Sequence, residues 1–165
     1  MNPLLERISQ LEENIERAIA GPHKCSIMGV FPCEEDDGPP FSYTIGLSDM
    51  GWPELIIAGL DNVIAATVLN NIVRHRANED PPTKGQIMEG VANYPVRFKT
   101  LSEQQRDEYL CWAINRQQRI GQPEPTALQV EFPDEQGRWP DDPECDSFTQ
   151  FVQQLPLKEQ REQVQ

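Results

Sequence analysis

Histidine is the scarcest functional residue in this sequence: only His23 and His75 occur, and the four cysteines, Cys25, Cys33, Cys111 and Cys145, form no CxxC pair. A Ser-His-Asp or Cys-His machine would have to use one of two imidazoles, and His75 falls late in a helical stretch where its charge suits the C-terminal dipole. The nearest approach to a metal set, His23, Cys25 and Cys33, has the spacing His-x-Cys-x7-Cys and lacks a fourth ligand, so no metal is expected. GxGxxG, Walker and HExxH patterns are missing, which leaves no phosphate-cradling loop or metalloprotease helix to propose and no cofactor to expect. The cysteines are also too sparse for a small disulfide-bonded secreted scaffold and are expected to be reduced thiols.

Long apolar runs are missing too. None approaches the roughly 20 residues of a membrane helix, and Glu6, Glu12, Glu13 and Glu16 interrupt the first twenty positions where a secretory signal would be apolar. A cytoplasmic protein with no membrane contact is the expectation. Positive charge is scarce: 14 lysines and arginines face 27 aspartates and glutamates, for a net charge of −13. That balance opposes a phosphate backbone, whose binding depends on basic side chains releasing counterions, so nucleic acid is not an expected partner. It suits a basic protein partner.

What is present is enough for one ordinary domain, 165 residues with a mean hydropathy of −0.59 and 15 prolines that call for many fixed turns. Leu4, Ile8, Leu11, Ile15 and Ala18 recur at helical spacing before Gly21-Pro22, which predicts an amphipathic helix over 1–20. In heptad terms isoleucine stands at a and leucine at d, the choice that favours a two-stranded coil, so a homodimer through residues 4–18 is one expectation. Residues 21–156 read as a single α+β domain and 157–165 as a polar tail.

Within the domain, alternation predicts strands at Lys24–Phe31, Phe41–Leu47, Tyr94–Lys99 and Leu128–Phe132. Glu54–Leu60, apolar on both faces, reads as a buried inner strand. Asp61 is placed to cap a helix running to about Arg76. Ser102 and Gln105 form a capping box for a helix to about Arg119, and Ser147–Leu155 predicts a short last helix. Strands following one another in sequence point to an α+β fold, with an antiparallel or mixed sheet of about five strands and packed helices.

The stretches "GPPFSYTIGL" (38–47), "GWPELIIAGLD" (51–61), "YPVRF" (94–98) and "LQVEFPDEQGRWP" (128–140) resemble the bacterial family called domain of unknown function 4262, over about Gly29 to Pro140. That family's first signature is Gly-Pro-x-Phe-x-Tyr-Thr-x-Gly-Leu, matched here by Gly38, Pro39, Phe41, Tyr43, Thr44, Gly46 and Leu47. Its second, Gly-His-Pro-Glu-Leu, is matched by Gly51, Pro53, Glu54 and Leu55, with Trp52 in place of the histidine. After Arg138-Trp139-Pro140 the family's usual aromatic is replaced by Asp141. The resemblance implies a fold shared across bacterial and phage proteins and supplies no activity.

Three candidate sites follow from the residues. Gly29, Gly46 and Gly59 fall in successive predicted strands and, with Ser42, Thr44 and Ala58, would line a shallow ligand trough unless a helix fills it. Glu54 and Tyr43, with Thr44 close by, could form an acid-base pair if the glutamate were desolvated. The opposing expectation is a strand-end glutamate answering turn amides. Third, Asp36 and Asp37 precede the signature strand while Asp134, Asp141 and Asp142 follow its distant counterpart. Interleaved with Phe41 and Trp139, they would make an acidic surface with aromatic anchors for a basic partner. The expected function is non-enzymatic binding of a macromolecule, as an inhibitor or immunity-type factor of bacterial or phage origin. A small-molecule binder or enzyme using the glycine-lined trough is the alternative.

Overall fold

A computed structural model describes residues 2–31 and 38–158. Asn2 caps the first helix, α1 (Pro3–Ala20), by accepting the Leu4 N–H at 2.8 Å, and Pro3 follows in the first turn, where its missing N–H costs nothing. The helix stops where Pro22 disfavours helical backbone at Gly21. Gly21 is extended (φ −83°) rather than left-handed, and the left-handed turn comes three residues later at Lys24 (φ 60°).

The chain then lays down β1 (Ser26–Val30), β2 (Phe41–Ile45), a 3₁₀ turn (Leu47–Met50) and β3 (Glu54–Ala58). Asp61 caps α2 (Asn62–His75) through the Val63 N–H at 2.9 Å. Next come β4 (Ile87–Met88), β5 (Val96–Thr100), α3 (Glu103–Tyr109), α4 (Cys111–Arg119), β6 (Ala127–Glu131) and α5 (Ser147–Val152). The strands form one mixed sheet in the order β1-β2-β3-β6-β5-β4, in which only β3 and β6 run parallel.

The fold is therefore α+β, with two corrections to the sequence reading. A sixth strand, β4, exists because Ile87 and Met88 pair with Arg97 and Val96; two residues are too few for alternation to announce. The single helix expected from Ser102 to Arg119 breaks at Leu110 (φ −100°, ψ 47°), which is fully buried, so that Tyr109 and Ala113 both reach the core.

The two faces of the sheet carry separate cores. On one, Leu55, Ile57, Val96, Phe98 and Val130 meet Val68, Leu69, Ile72 and Val73 of α2. On the other, Tyr43, Ile45, Ile56 and Ala58 meet Ile15 of α1 and Tyr109, Leu110 and Ala113 of α3 and α4. The register carries this second face on into polar residues: Gln129 lies beside Ile56, Lys99 beside Gln129, and Arg97 beside Glu131. It is thus apolar under α1, α3 and α4 and polar beyond β3. Ile15 and Ile19, both on the helix expected to form a dimer seam, are committed to the chain's own core. Arg116, on α4, ties α1 down further, holding Glu16 at 2.7 Å and Asp49 at 2.9 Å.

Candidate functional site

The expected trough is filled. A methyl group placed on Gly29 would lie 2.7 Å from the Asn62 side chain at the start of α2, one on Gly46 2.6 Å from Ile19 of α1, and one on Gly59 2.7 Å from Val152 of α5. Each glycine receives a different element, and two of them, Gly46 (φ 110°) and Gly59 (φ 91°), lie just past strand ends in left-handed backbone. Ser42, Thr44 and Ala58 are completely buried. Ser42 donates to the Asn62 amide oxygen at 3.1 Å, so the small polar face of β2 receives another part of the chain.

Glu54 and Tyr43 do not form a pair. The Glu54 carboxylate accepts five hydrogen bonds: from the Thr44 hydroxyl (2.8 Å), the Ser48 hydroxyl (2.7 Å) and the N–H groups of Gly46, Leu47 and Ser48 (3.1 Å each). It sits where the 3₁₀ turn begins and serves the amides that the turn leaves unpaired. Thr44 also accepts the Leu55 N–H at 2.9 Å, closing the network onto β3. Burial pushes the Glu54 carboxyl above its ordinary pKa, and the hydrogen bonds from Ser48, Thr44 and Gly46 work against that rise. The Tyr43 hydroxyl instead accepts the Trp112 N–H at 3.1 Å, satisfying an orphan donor at the start of α4. Burial raises the pKa of this phenol as well.

The same burial silences a thiol. Desolvation first, and the nearby Glu54 charge second, push Cys25 up from 9.0 to about 12, so it stays protonated and unreactive at neutral pH. Cys111 is exposed. A brief iodoacetamide pulse at pH 8 is therefore expected to label Cys111 in the folded protein and Cys25 only after denaturation, as read peptide by peptide in a mass spectrometer. Equal labelling of the two in the folded state would contradict the burial of Cys25.

The acidic loop after β6 is largely occupied with its own structure. Asp134 accepts the N–H groups of Gln136, Arg138 and Asp146, which hold its carboxyl below the usual range. Asp142 accepts the Glu144 N–H at 2.9 Å, and Asp141 meets Arg97 at 2.9 Å. The two aromatics expected to anchor a partner are engaged as well. Phe41 stacks on Tyr43 and meets Tyr109 edge-on, with ring centres 6.3 and 5.1 Å apart, and Trp139 lies against the Arg97 guanidinium, whose carbon is 4.8 Å from the ring centre. Asp36, Asp37 and Cys33 lie outside the described residues. Among those residues no three His, Cys, Asp or Glu side chains gather as a metal site would require, and no helix is long and apolar enough to cross a membrane.

Several exposed apolar side chains stand elsewhere, apart from Leu4 and Leu5 on α1, Ile87 on β4 and Ile120 after α4. Phe31 (72% exposed) follows Val30, which pairs with Phe41, and Phe41 pairs with Ala58. Gly59, next along, donates to Pro40 and lies under Val152 of α5, the helix that carries Phe148 (71%) and Phe151 (57%). Asn62 packs over Gly29 and leads into Val63 (76%) and Ile64 (52%). Five large exposed apolar side chains are therefore carried by segments that meet at one end of the β1-β2-β3 sheet. Acids border them: Asp61 and Asp146, the exposed caps of α2 and α5, and Glu144. Phe148 and Phe151, three apart on α5, fall within the predicted last helix, and the sequence reading assigned them to no site.

Residues 20–146 match one family, whose two front signatures meet at the Glu54 carboxylate. The chain belongs to Domain of unknown function (DUF4262). Thr44, Gly46 and Leu47 from the first DUF4262 signature and Glu54 from the second are the two halves of one hydrogen-bonded clasp, so their linkage has a structural cause. Trp52, in place of the DUF4262 histidine, is only 5% exposed and packs in the core beneath α2. No curated protein and no solved structure is similar enough to the chain to count as a match.

Proposed function

We propose that this DUF4262 protein acts in the cytoplasm by binding a basic protein partner, as an inhibitor or immunity-type factor of bacterial or phage origin, and not by catalysis. The observation that carries the reading is the apolar end of the sheet, where Phe31, Val63, Ile64, Phe148 and Phe151 stand exposed among Asp61, Glu144 and Asp146. Exposed aromatics at the centre of a patch supply anchors, and an acidic border on a chain of net charge −13 steers a cationic partner and rejects acidic ones. The carboxylate that an enzyme would have used accepts five hydrogen bonds from amides and hydroxyls, and the phenol is buried and accepts the Trp112 N–H, which further supports binding over chemistry.

Capture from extracts of the native host tests this, comparing the natural chain with a Phe148→Ser/Phe151→Ser variant. Both side chains are mostly outside the fold, so the variant should keep its melting temperature. A basic protein in stoichiometric yield on the natural chain, reduced about tenfold or more on the variant, is the expected result. A neutral or acidic partner, or equal capture by both chains, would overturn the reading.

A further inference from the structure

Where the sheet face turns polar it is roofed by α5 and the segment after it, leaving a cleft of about 1020 Å³. Its floor is Arg97, Lys99, Gln129 and Glu131, and its far wall is Gln150, Gln153 and the chain to Pro156. Lys84 stands at the β4 side. Three cationic side chains against two carboxylates, Glu131 and Asp141, leave the lining one charge positive, on a protein that is strongly negative. Lys84 and Lys99 make no ion pair with any described residue, whereas Arg97 beside them makes two.

Arg97 is held from beneath and met from the side. Glu131, whose side chain is 4% exposed, accepts both Nε (3.2 Å) and Nη2 (3.1 Å) on one oxygen and fixes the guanidinium on the sheet. Asp141, with a side chain 73% exposed, accepts from Nη2 at 2.9 Å. The loop bearing Asp141 does not depend on that contact. The Gln150 amide grips it through the carbonyls of Pro140 (3.1 Å) and Asp142 (2.9 Å), and Trp139 stays over the guanidinium. Asp141 can therefore leave Arg97 by side-chain rotation alone, and a departing carboxylate uncovers a guanidinium flanked by an unpaired lysine.

We infer that this cleft binds an anionic small molecule, with Lys84 and Lys99 as its cationic contacts and Asp141 occupying, in the free protein, the place on Arg97 that the ligand's anion takes. A carboxylate on Nη2 is the geometry an anionic ligand would copy, and the glutamine amides around it offer neutral donors and acceptors to the rest of such a molecule. Asp141 then acts as an internal competitor, so that only an anion richer in charge than one carboxylate displaces it. This site shares α5 with the proposed partner surface but uses other side chains, Gln150 rather than Phe148 and Phe151, and does not depend on it.

Calorimetric titration of the full chain with citrate and, separately, with inorganic pyrophosphate tests the inference, with sodium chloride at matched ionic strength as control. Binding of either probe supports it, citrate alone indicating a polycarboxylate ligand and pyrophosphate alone a phosphorylated one. Asp141→Asn should tighten binding about tenfold by removing the competitor, while Asp142→Asn, equal in charge and in the same loop, should leave it within about twofold. Lys84→Met/Lys99→Met, both at exposed positions, should weaken it about tenfold or more with the melting temperature unchanged. No binding of either probe to the natural chain or to Asp141→Asn up to about 10 mM would overturn the inference. So would weaker binding by Asp141→Asn, or equal effects of the two asparagine variants.

Discussion

Replacing Glu54 by alanine is expected to cost about 3–5 kcal/mol, a large share of the roughly 5–15 kcal/mol that holds an ordinary domain folded. The carboxylate is the common acceptor for Thr44, Gly46, Leu47 and Ser48, and its residue is 1% exposed. Alanine leaves those donors facing one another in a space water cannot easily fill, and the desolvation cost of each then falls on the folded state. Glu54→Gln is the sharper test. It keeps the shape but turns one acceptor oxygen into an amide that confronts N–H and O–H donors, so a loss of about 2 kcal/mol is expected from a change of a few atoms. Urea unfolding measures both. If Glu54→Gln were as stable as the natural chain, the carboxylate would not be the centre of the clasp.

The second large effect is expected at the glycines under α1 and α5. Gly46→Val and Gly59→Val should each cost about 2–4 kcal/mol, because a β-branched residue is forced into left-handed backbone and its Cβ enters occupied space. At Gly59 the obstruction includes the Val152 carbonyl at 2.7 Å, a backbone atom that can yield only if α5 shifts; at Gly46 it is the Ile19 side chain alone, with no backbone atom in the way. Gly59→Val should therefore be the worse of the two. Gly137 separates strain from collision: its φ of 80° is similar, but no atom lies within 4 Å of a Cβ placed there, so Gly137→Val should show the conformational cost alone. Thermal melts that ranked all three alike would show that backbone strain, and not the closing of the trough by α1 and α5, sets the penalty.

β1, β2, β5 and β6 were legible because each carries a period-2 pattern long enough to register, and the apolar run 55–58 marked the inner strand that lies between β2 and β6. The helix caps at Asp61 and Ser102 were equally local, since a cap needs only its own next three residues. β4 was missed because pairing with Arg97 and Val96, not its own pattern, makes it a strand. The trough was misread for a related reason. Glycine spacing announces a close approach but not what approaches, and the occupants Ile19, Asn62 and Val152 come from three remote helices. Phe41 and Trp139 passed as surface aromatics because acidic neighbours surround them in sequence, while in space Tyr109 and Arg97 cover them. Phe148 and Phe151 are the converse case: α5 turns Val152 inward to Gly59, and that choice of face is made by a contact the helix itself does not encode.

Hydrogen–deuterium exchange of the full chain, alone and with its captured partner, tests the proposed binding surface most directly. Expected is added protection in the last residues of β1, the first turn of α2 and the whole of α5, with β4 and β5 unchanged. Protection confined to β4, β5 or the 133–142 loop, with α5 exchanging as in the free chain, would contradict it.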